Sequence, residues 1–394
     1  MSYYKISGEK SETARVIIID ESDWSIESNT VVSGSGAYSI DTVASGTKLV
    51  LARASDGWLE GYGSVEAAFV YEAEPVAGPT RGVWGGGWND SSAVNTMDYV
   101  TIATTGNAAG FGNLSLVRYY VQATSNGTND RGIWAGGSPD PYSTDVIDYH
   151  AISTTGNAAD FGNLVISLYA TGTTSNDTNE RAVFGGGQNY EDDPGDQGII
   201  DDTAYRTINS LGNAANFGTL TYSRYDSKAC SNGTNERAVF GGSGISPAMD
   251  YLTINTLSAS ASFGDLSELC IVDIAFDHTR GTAAATSNGT NERGVFGGGY
   301  VYCDMIDYIT INSTGNATQF GKLTVTPFGA NYGRGDISAT SNGVSERGLF
   351  GGGEYYTSPY VLDIIDYVTI NSIGDATDFG NLTASRGRSG ACSG

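Results

Sequence analysis

From residue 81 onward the chain is built of short apolar runs cut by glycine, asparagine and threonine, and one run returns six times. TRGVWGGG begins at Thr80, NDRGIWAGG at Asn129, NERAVFGGG at Asn179, NERAVFGG at Asn235, NERGVFGGG at Asn291 and SERGLFGGG at Ser345. Their arginines, Arg81, Arg131, Arg181, Arg237, Arg293 and Arg347, are spaced by 50, 50, 56, 56 and 54 residues. A period of that size marks an array of supersecondary units. The apolar runs are short, rich in β-branched and aromatic residues and bounded by turn formers, and none carries a helical period. They predict strands throughout.

Each repeat holds three further pieces. A second strand contains MDYVTI (97–102), IDYHAI (147–152), AYRTI (204–208), MDYLTI (249–254), IDYITI (306–311) or IDYVTI (365–370). A turn such as STTGNAAD then precedes FGNL or a close variant, which carries Phe111, Phe161, Phe217, Phe263, Phe320 and Phe379. Last comes ATSNGTN, whose Asn-Gly favours a tight hairpin back into the glycine-rich strand. Four antiparallel strands per repeat and six repeats predict an all-β, six-bladed β-propeller. The first repeat lacks its own leading strand, and SRGRSGACSG (385–394) parallels SRYDSKACSNG (223–233). Residues near 389–393 are therefore expected to supply the innermost strand of the first blade and close the ring. The glycine triplets are expected where the chain leaves a crowded blade edge with positive φ.

Residues 1–72 do not share the repeat. ARVIIIDES (14–22), NTVVSG (29–34), GAYSIDTV (36–43), KLVLARAS (48–55) and GYGSVEAA (61–68) alternate with Gly, Ser and Asp turns. They predict a small β-sandwich, with residues 73–80 as a linker and 81–394 as the propeller.

Charge narrows the function. With a formal net charge of −24 and a pI near 4.2, the chain has the wrong sign for nucleic acid and for anionic membrane surfaces. MSYYKISGEKSE has no apolar core of signal-peptide type, and no apolar segment is long enough to span a bilayer as a helix. Cys230, Cys270, Cys303 and Cys392 lack metal-site spacing and are expected as free, mostly buried thiols made in a reducing cytosol. Cys230 and Cys392 occupy equivalent repeat positions, which predicts a shared packing role rather than a mutual bond.

Candidate chemistry is sparse. His150 and His278 are the only histidines, and no Ser-His-Asp or Cys-His arrangement is suggested, so catalysis is not expected. Asp98, Asp148, Asp250, Asp307 and Asp366 recur in the IDY strand, with Ala204 in the third repeat. Such repetition predicts a structural role. The acidic insertion NYEDDPGDQGIIDD (189–202) offers Asp192, Asp193 and Asp196 as candidate Ca²⁺ ligands; no other cofactor is expected. The uniform turns alternate with two variable connections in every repeat, which places the variable loops on one face. Trp88, Tyr142, Tyr190, Tyr300, Tyr302, Tyr355, Tyr356 and Tyr360 give that face an exposed, Tyr-rich character suited to protein or carbohydrate recognition.

The GG pairs and the following arginines, Arg118, Arg224, Arg280 and Arg334, resemble the kelch family, with Leu168 standing in the arginine position of repeat two. The resemblance implies a kelch-like propeller in which the family's Trp gives way to the Phe of FGNL and aromatics pack blade against blade. The order of RV-x-apolar, G-x-Y-x-I and VLARASDG within 1–72 resembles the transthyretin-like or carboxypeptidase-regulatory sandwich. RGVFGGG…IDYITI-STGNATDFGNLT resembles propeller repeats of virion proteins from tailed, marine-type phages. That implies a virion structural protein, a tail-fibre, tail-apparatus or receptor-binding element. Residues 1–72 would then hold other virion proteins and the loops a host-surface glycan or protein, as a homo-oligomer on the particle. Capsid decoration, a glycan-active enzyme and an intracellular scaffold are the alternatives.

Overall fold

The computed structural model describes the backbone of seven strands between residues 4 and 75, and residues 81–394 except 127–129, 177–180, 191–197, 232–235, 244–245, 268–280, 282, 288–291, 300–302, 325–332, 342–345 and 356–359. Two compact units emerge, Met1–Gly78 and Pro79–Gly394. In the first, Tyr4–Lys10 lies between Gly36–Thr42 and Glu74–Pro75 in one antiparallel sheet. Ala14–Asp20 lies between Ile26–Val32 and Thr47–Ala54 in another, extended by Tyr71–Glu72. The strand expected at 61–68 lies outside the described residues. The expected linker is corrected: residues 74–75 pair with Tyr4 and Lys5, and Pro75 fits there because an edge strand can dispense with its amide.

The second unit is a six-bladed β-propeller, each blade a four-stranded antiparallel sheet. The first blade runs from Gly390–Ser393 through Arg81–Trp88 and Ala93–Thr101 to Ala109–Asn113. The expected closure is therefore present, with Ala391 opposite Trp84 and Cys392 opposite Val83. The innermost strands, Gly390–Ser393, Gln122–Asn126, Gly172–Asn176, Lys228–Ser231, Ala284–Ser287 and Ser338–Ser341, neighbour one another around the axis. Their serines close a circle. Ser125 donates to the carbonyl of Ser393, Ser175 to Ser125, Ser231 to Ser175, Ser287 to Ser231, Ser341 to Ser287 and Ser393 to Ser341. The serine of ATSNG thus satisfies a carbonyl that no sheet can reach.

Six apolar clusters occupy the six seams between blades. Phe111, for instance, packs with Trp134 and Ile152 of the following blade. The first glycine of each triplet makes room for the next blade's aromatic: a Cβ on Gly351 would lie 2.5 Å from Trp84 Nε1. The next two turn the backbone outward at φ 68° and 117° for Gly86 and Gly87, and Gly87 N–H donates to Arg118 O at 2.9 Å. The TGNA turn has a role beyond turning. Gly156 N–H donates to Phe111 O and Ala158 N–H to Asn113 O, both at 2.8 Å, docking each turn on the preceding blade's outer strand. A Cβ on Gly112 would lie 1.7 Å from Gly156 O, which explains the glycine of FGN.

Buried ion pairs complete the seams. Arg118 pairs with Asp148 at 2.8 Å, Arg224 with Asp250 at 2.6 Å, Arg334 with Asp366, and Arg386 with Asp98. Each guanidinium also donates to carbonyls of the next blade, as Arg118 does to Val146 O at 2.7 Å. The aspartate accepts a backbone amide and a hydroxyl from the preceding blade, supplied at Asp148 by Ser115 and at Asp250 by Thr221. Burial pushes the Arg118 pKa down to about 10, opposed by Asp148, so it stays charged at neutral pH. On the far side, the leading arginine stacks on its own blade's tyrosine and reaches the next: Arg131 lies 4.7 Å over Tyr149 and donates to Ile208 O at 2.8 Å.

Two expectations about cysteine divide. Cys230 and Cys392 are free and buried, their thiols pushed up by burial, and lie against Gly294 and Gly132 of the neighbouring blades. Cys303 is disulfide-bonded, which corrects the expectation of free thiols at every position.

Removing one partner of a fully buried pair strands the other charge, so Arg386→Ala should cost about 3–5 kcal/mol in chemical denaturation. Arg386→Leu combined with Asp98→Ala should recover most of that. Deletion of residues 385–394 should lower the melting temperature sharply, and unchanged melting would contradict closure by this strand.

Candidate functional site

The variable loops and the outer-to-inner connections meet on one face, joined by bridges between Trp88 and Gly387, Ser138 and Tyr119, Tyr169 and Gln188, and Gly335 and Glu354. At the axis, each described connection places one residue in the left-handed region: Tyr120 (φ 53°), Ala170 (58°), Asp226 (57°), Asp336 (52°) and Arg388 (57°). The sixth repeat position, Thr282, lies outside the described residues. The conformation costs a non-glycine residue roughly 1–2 kcal/mol. An amide chain around the mouth holds it in place: Arg388 N–H to Asp336 O (2.8 Å), Tyr120 to Arg388 (2.7 Å), Ala170 to Tyr120 (3.2 Å) and Asp226 to Ala170 (3.0 Å). The backbone is fixed by the repeat while the side chains change from blade to blade.

Those side chains divide the mouth in two. One half is aromatic: Trp88 meets Tyr119 edge-on at 5.4 Å, Tyr119 meets Tyr120 at 5.4 Å, and Tyr120 meets Tyr169 at 5.7 Å. All four rings are half-buried, and the Tyr169 hydroxyl donates to Gln188 Oε1 at 2.7 Å. The other half is ionic. Arg388 lies 2.7 Å from Glu354, 3.7 Å from Asp336 and 4.9 Å from the centre of the Tyr120 ring, joining the halves. Gly387 admits Glu354 here, since a Cβ would meet Glu354 Cγ at 2.5 Å.

Asp226 and Lys228 complete the ionic half. Burial, with the nearby Asp336 charge, raises the Asp226 carboxyl to about 7 against the pull of Lys228 and Arg388. Burial and Asp336 raise Glu354 to about 7 as well, and burial raises Asp336. The Lys228 ammonium is pushed down by burial and held up by Asp226 and Asp336. Below the mouth, the space among Gln122, Thr173, Lys228, Ile337 and Ser338 is about 30 Å³. That holds a water or two but no chain or sugar. The mouth is thus a bowl above a small axial space.

Among the residues expected on the variable face, Trp88 joins this bowl but is half-buried rather than free. Tyr142 and Tyr190 are exposed and stack at 6.2 Å further out, the backbones joined by Ser143 N–H to Tyr190 O at 2.8 Å. Tyr360 is exposed, but Tyr355 is 3% exposed, correcting its expected display; its amide donates to Tyr360 O at 2.7 Å. Tyr300, Tyr302, Tyr356, Asp192, Asp193, Asp196 and His278 lie outside the described residues. Among the described residues no group of three or more His, Cys, Asp or Glu is placed to hold a metal ion. His150 is buried edge-on to Phe111 at 4.5 Å with its pKa lowered by burial, a packing role. Phe111, Phe161, Phe217, Phe263, Phe320 and Phe379 are buried, each edge-on to its blade's tyrosine at 5.8–6.1 Å.

The sequence reading missed Tyr119, Tyr120, Tyr169, Asp226, Asp336, Glu354 and Arg388 as a site. Aligning the residues that follow Arg118, Leu168, Arg224, Arg280, Arg334 and Arg386 would have shown one repeat position cycling through Tyr, Ala, Asp, Thr, Asp and Arg. No known family's model matches the chain, and no curated protein is detectably similar to it. The geometry of the bowl therefore carries the functional argument.

The raised carboxyls give the propeller a pH signature. Asp226 and Glu354 bind protons more tightly folded than unfolded, so their stabilising contribution is full below the ordinary carboxylate pKa of about 4. It is lost as pH rises through about 7. Melting temperature should therefore fall as pH rises from about 4 to about 7 and level off above that. Asp226→Asn should flatten the decline; a profile unchanged by that substitution would place the titration elsewhere.

Proposed function

We propose that this chain is a virion structural protein of a tailed phage, a receptor-binding propeller whose axial bowl and loop face recognise a host-surface glycan. One observation carries the recognition reading: the arc Trp88–Tyr119–Tyr120–Tyr169 faces the ionic set Asp226, Asp336, Glu354 and Arg388 across one bowl. Sugar rings bury their C–H faces on tyrosine and tryptophan, and their hydroxyls bond to carboxylates and guanidinium groups. The net charge of −24 opposes polyanions, so the glycan is an uncharged one. The virion setting, with residues 1–72 bound to other virion proteins and several copies on the particle, rests on the resemblance of the repeats to phage propellers. Capsid decoration keeps the same setting with a different position on the particle.

A second reading is favoured by Asp226 and Glu354. Carboxyls with pKa values near neutrality can serve as general acids in glycoside cleavage. Hydrolysis of host polysaccharide by purified protein, abolished by Asp226→Asn or Glu354→Gln, would establish that reading in place of simple recognition.

For recognition alone, Trp88→Ala with Tyr119→Ala should weaken binding of the purified protein to host cells by at least about tenfold, equivalent to about 1.4 kcal/mol. Circular dichroism should be unchanged. Undiminished adsorption with an intact fold would remove the bowl as the receptor site.

A further inference from the structure

The seam between the second and third blades differs from the others. Elsewhere the sequence supplies an arginine, an aspartate and a hydroxyl, as in Arg118, Asp148 and Ser115. Here all three are replaced: Leu168 stands for the arginine, Ala204 for the aspartate and Val165 for the hydroxyl. A fourth position inverts, since Thr203 stands where other blades have Met97, Ile147, Met249, Ile306 or Ile365. The outer strand of the second blade is lengthened to Ala159–Leu168, and an added hairpin, Gln188–Asn189 with Gly198–Ile199, brings Ile200 to the same place.

Leu168, Ala204 and Thr203 are smaller than the arginine, aspartate and methionine or isoleucine they replace, and the seam does not collapse around them. A cavity of about 260 Å³ remains, walled by Leu164, Val165, Leu168, Phe184, Ile200 and Ala204. Thr203 forms part of the wall; it is 1% exposed, and its buried hydroxyl has no hydrogen-bond partner. Asp202 and Asn216 lie at the rim, while Val165 and Ile166 are 44% and 36% exposed beside it. A cavity with so much lost packing is destabilising when empty, and a buried unpaired hydroxyl adds to the cost.

We infer that this seam is a binding site for a small, uncharged, mostly apolar molecule carrying one hydrogen-bonding group, of the size of a phenol or an indole. Size sets the class. An apolar cavity of about 150 Å³ holds benzene, and drug-sized ligands need about 300 Å³ or more. At about 260 Å³ the seam takes one or two fused rings. Its walls offer no buried counter-charge, so an ion would lose its hydration without return. The Thr203 hydroxyl supplies a donor and acceptor for a phenolic O–H or an indole N–H, which distinguishes such ligands from plain hydrocarbons. The site lies on a different seam position from the axial bowl and does not depend on the glycan reading.

Ligand-observed NMR titration of the full chain with indole, phenol and toluene tests the assignment. Saturable binding of indole and phenol is expected. Ala204→Leu, which fills the void, should weaken it by at least about tenfold and leave the melting temperature equal or higher. Thr203→Val should weaken phenol several-fold and leave toluene unchanged. If Ala204→Leu fails to fold, Val165→Trp at the exposed rim blocks access without loading the interior and should give the same loss. Absence of saturable binding in the wild-type protein, or indole binding unchanged in a folded blocking variant, would overturn the proposal.

Discussion

A four-stranded antiparallel sheet with two apolar faces is not stable alone, and here each blade also carries polar groups that only its neighbours can satisfy. Arg118 has its counter-charge on the next blade, the hydroxyl of Ser125 has its acceptor on the preceding blade, and Gly156 N–H finds its carbonyl on the outer strand before it. Every such bond points around the circle. A linear array of these blades would leave a buried arginine or aspartate unpaired at one end, and that outcome is far more costly than an exposed sheet edge. Closure follows from the chemistry of the seam. The chain achieves it by returning Arg386, Ser389 and Cys392 from its last residues to the first blade. Bringing distant segments together adds little, because loop-closure entropy grows only with the logarithm of length.

The same circular scaffold explains where variation is tolerated. Around the mouth, backbone amides and carbonyls hold the left-handed residue of each described connection in position whichever side chain it carries. Tyr120, Asp226 and Arg388 occupy equivalent backbone positions and face a common centre. The residue before them switches between tyrosine and glycine. Tyr119 and Tyr169 build the aromatic half, while Gly387 leaves space into which Glu354 packs. A repeat protein can thus acquire an asymmetric site on a symmetric frame by changing two positions per repeat.

The array, the strand order and the closing strand were legible in the sequence because each follows from spacing and turn chemistry, which are local. Repetition marks the IDY aspartates as structural and keeps the arginines after FGNL in register, but only the fold pairs the two across the seams. Leu168 and Ala204 were visible as two separate exceptions, and only the fold shows that they face each other across one seam. The bowl was not legible: positive φ at Tyr120 or Asp226 arises from hydrogen bonds between blades, and no local propensity announces it. Tyr355 was misjudged because a loop tyrosine reads as exposed from sequence, whereas the fold buries it. Cys303 likewise depended on a contact that spacing does not encode.

The odd seam bears on how such a ring can change at all. A buried ion pair is worth little more than a well-packed apolar pair, whereas half of one is strongly destabilising. Substitution must therefore pass through a costly intermediate or occur together, and the second–third seam carries all three changes: Leu168, Ala204 and Val165. Had packing been the only demand, larger apolar residues would have filled the volume vacated by guanidinium and carboxylate. Instead alanine and threonine occupy the third-blade strand, and Ile200 arrives on an added hairpin that walls the space without filling it. Loss of the ion pair explains the change in polarity at this seam; it does not explain the retained volume, which sets this seam apart as more than a relaxed version of its neighbours.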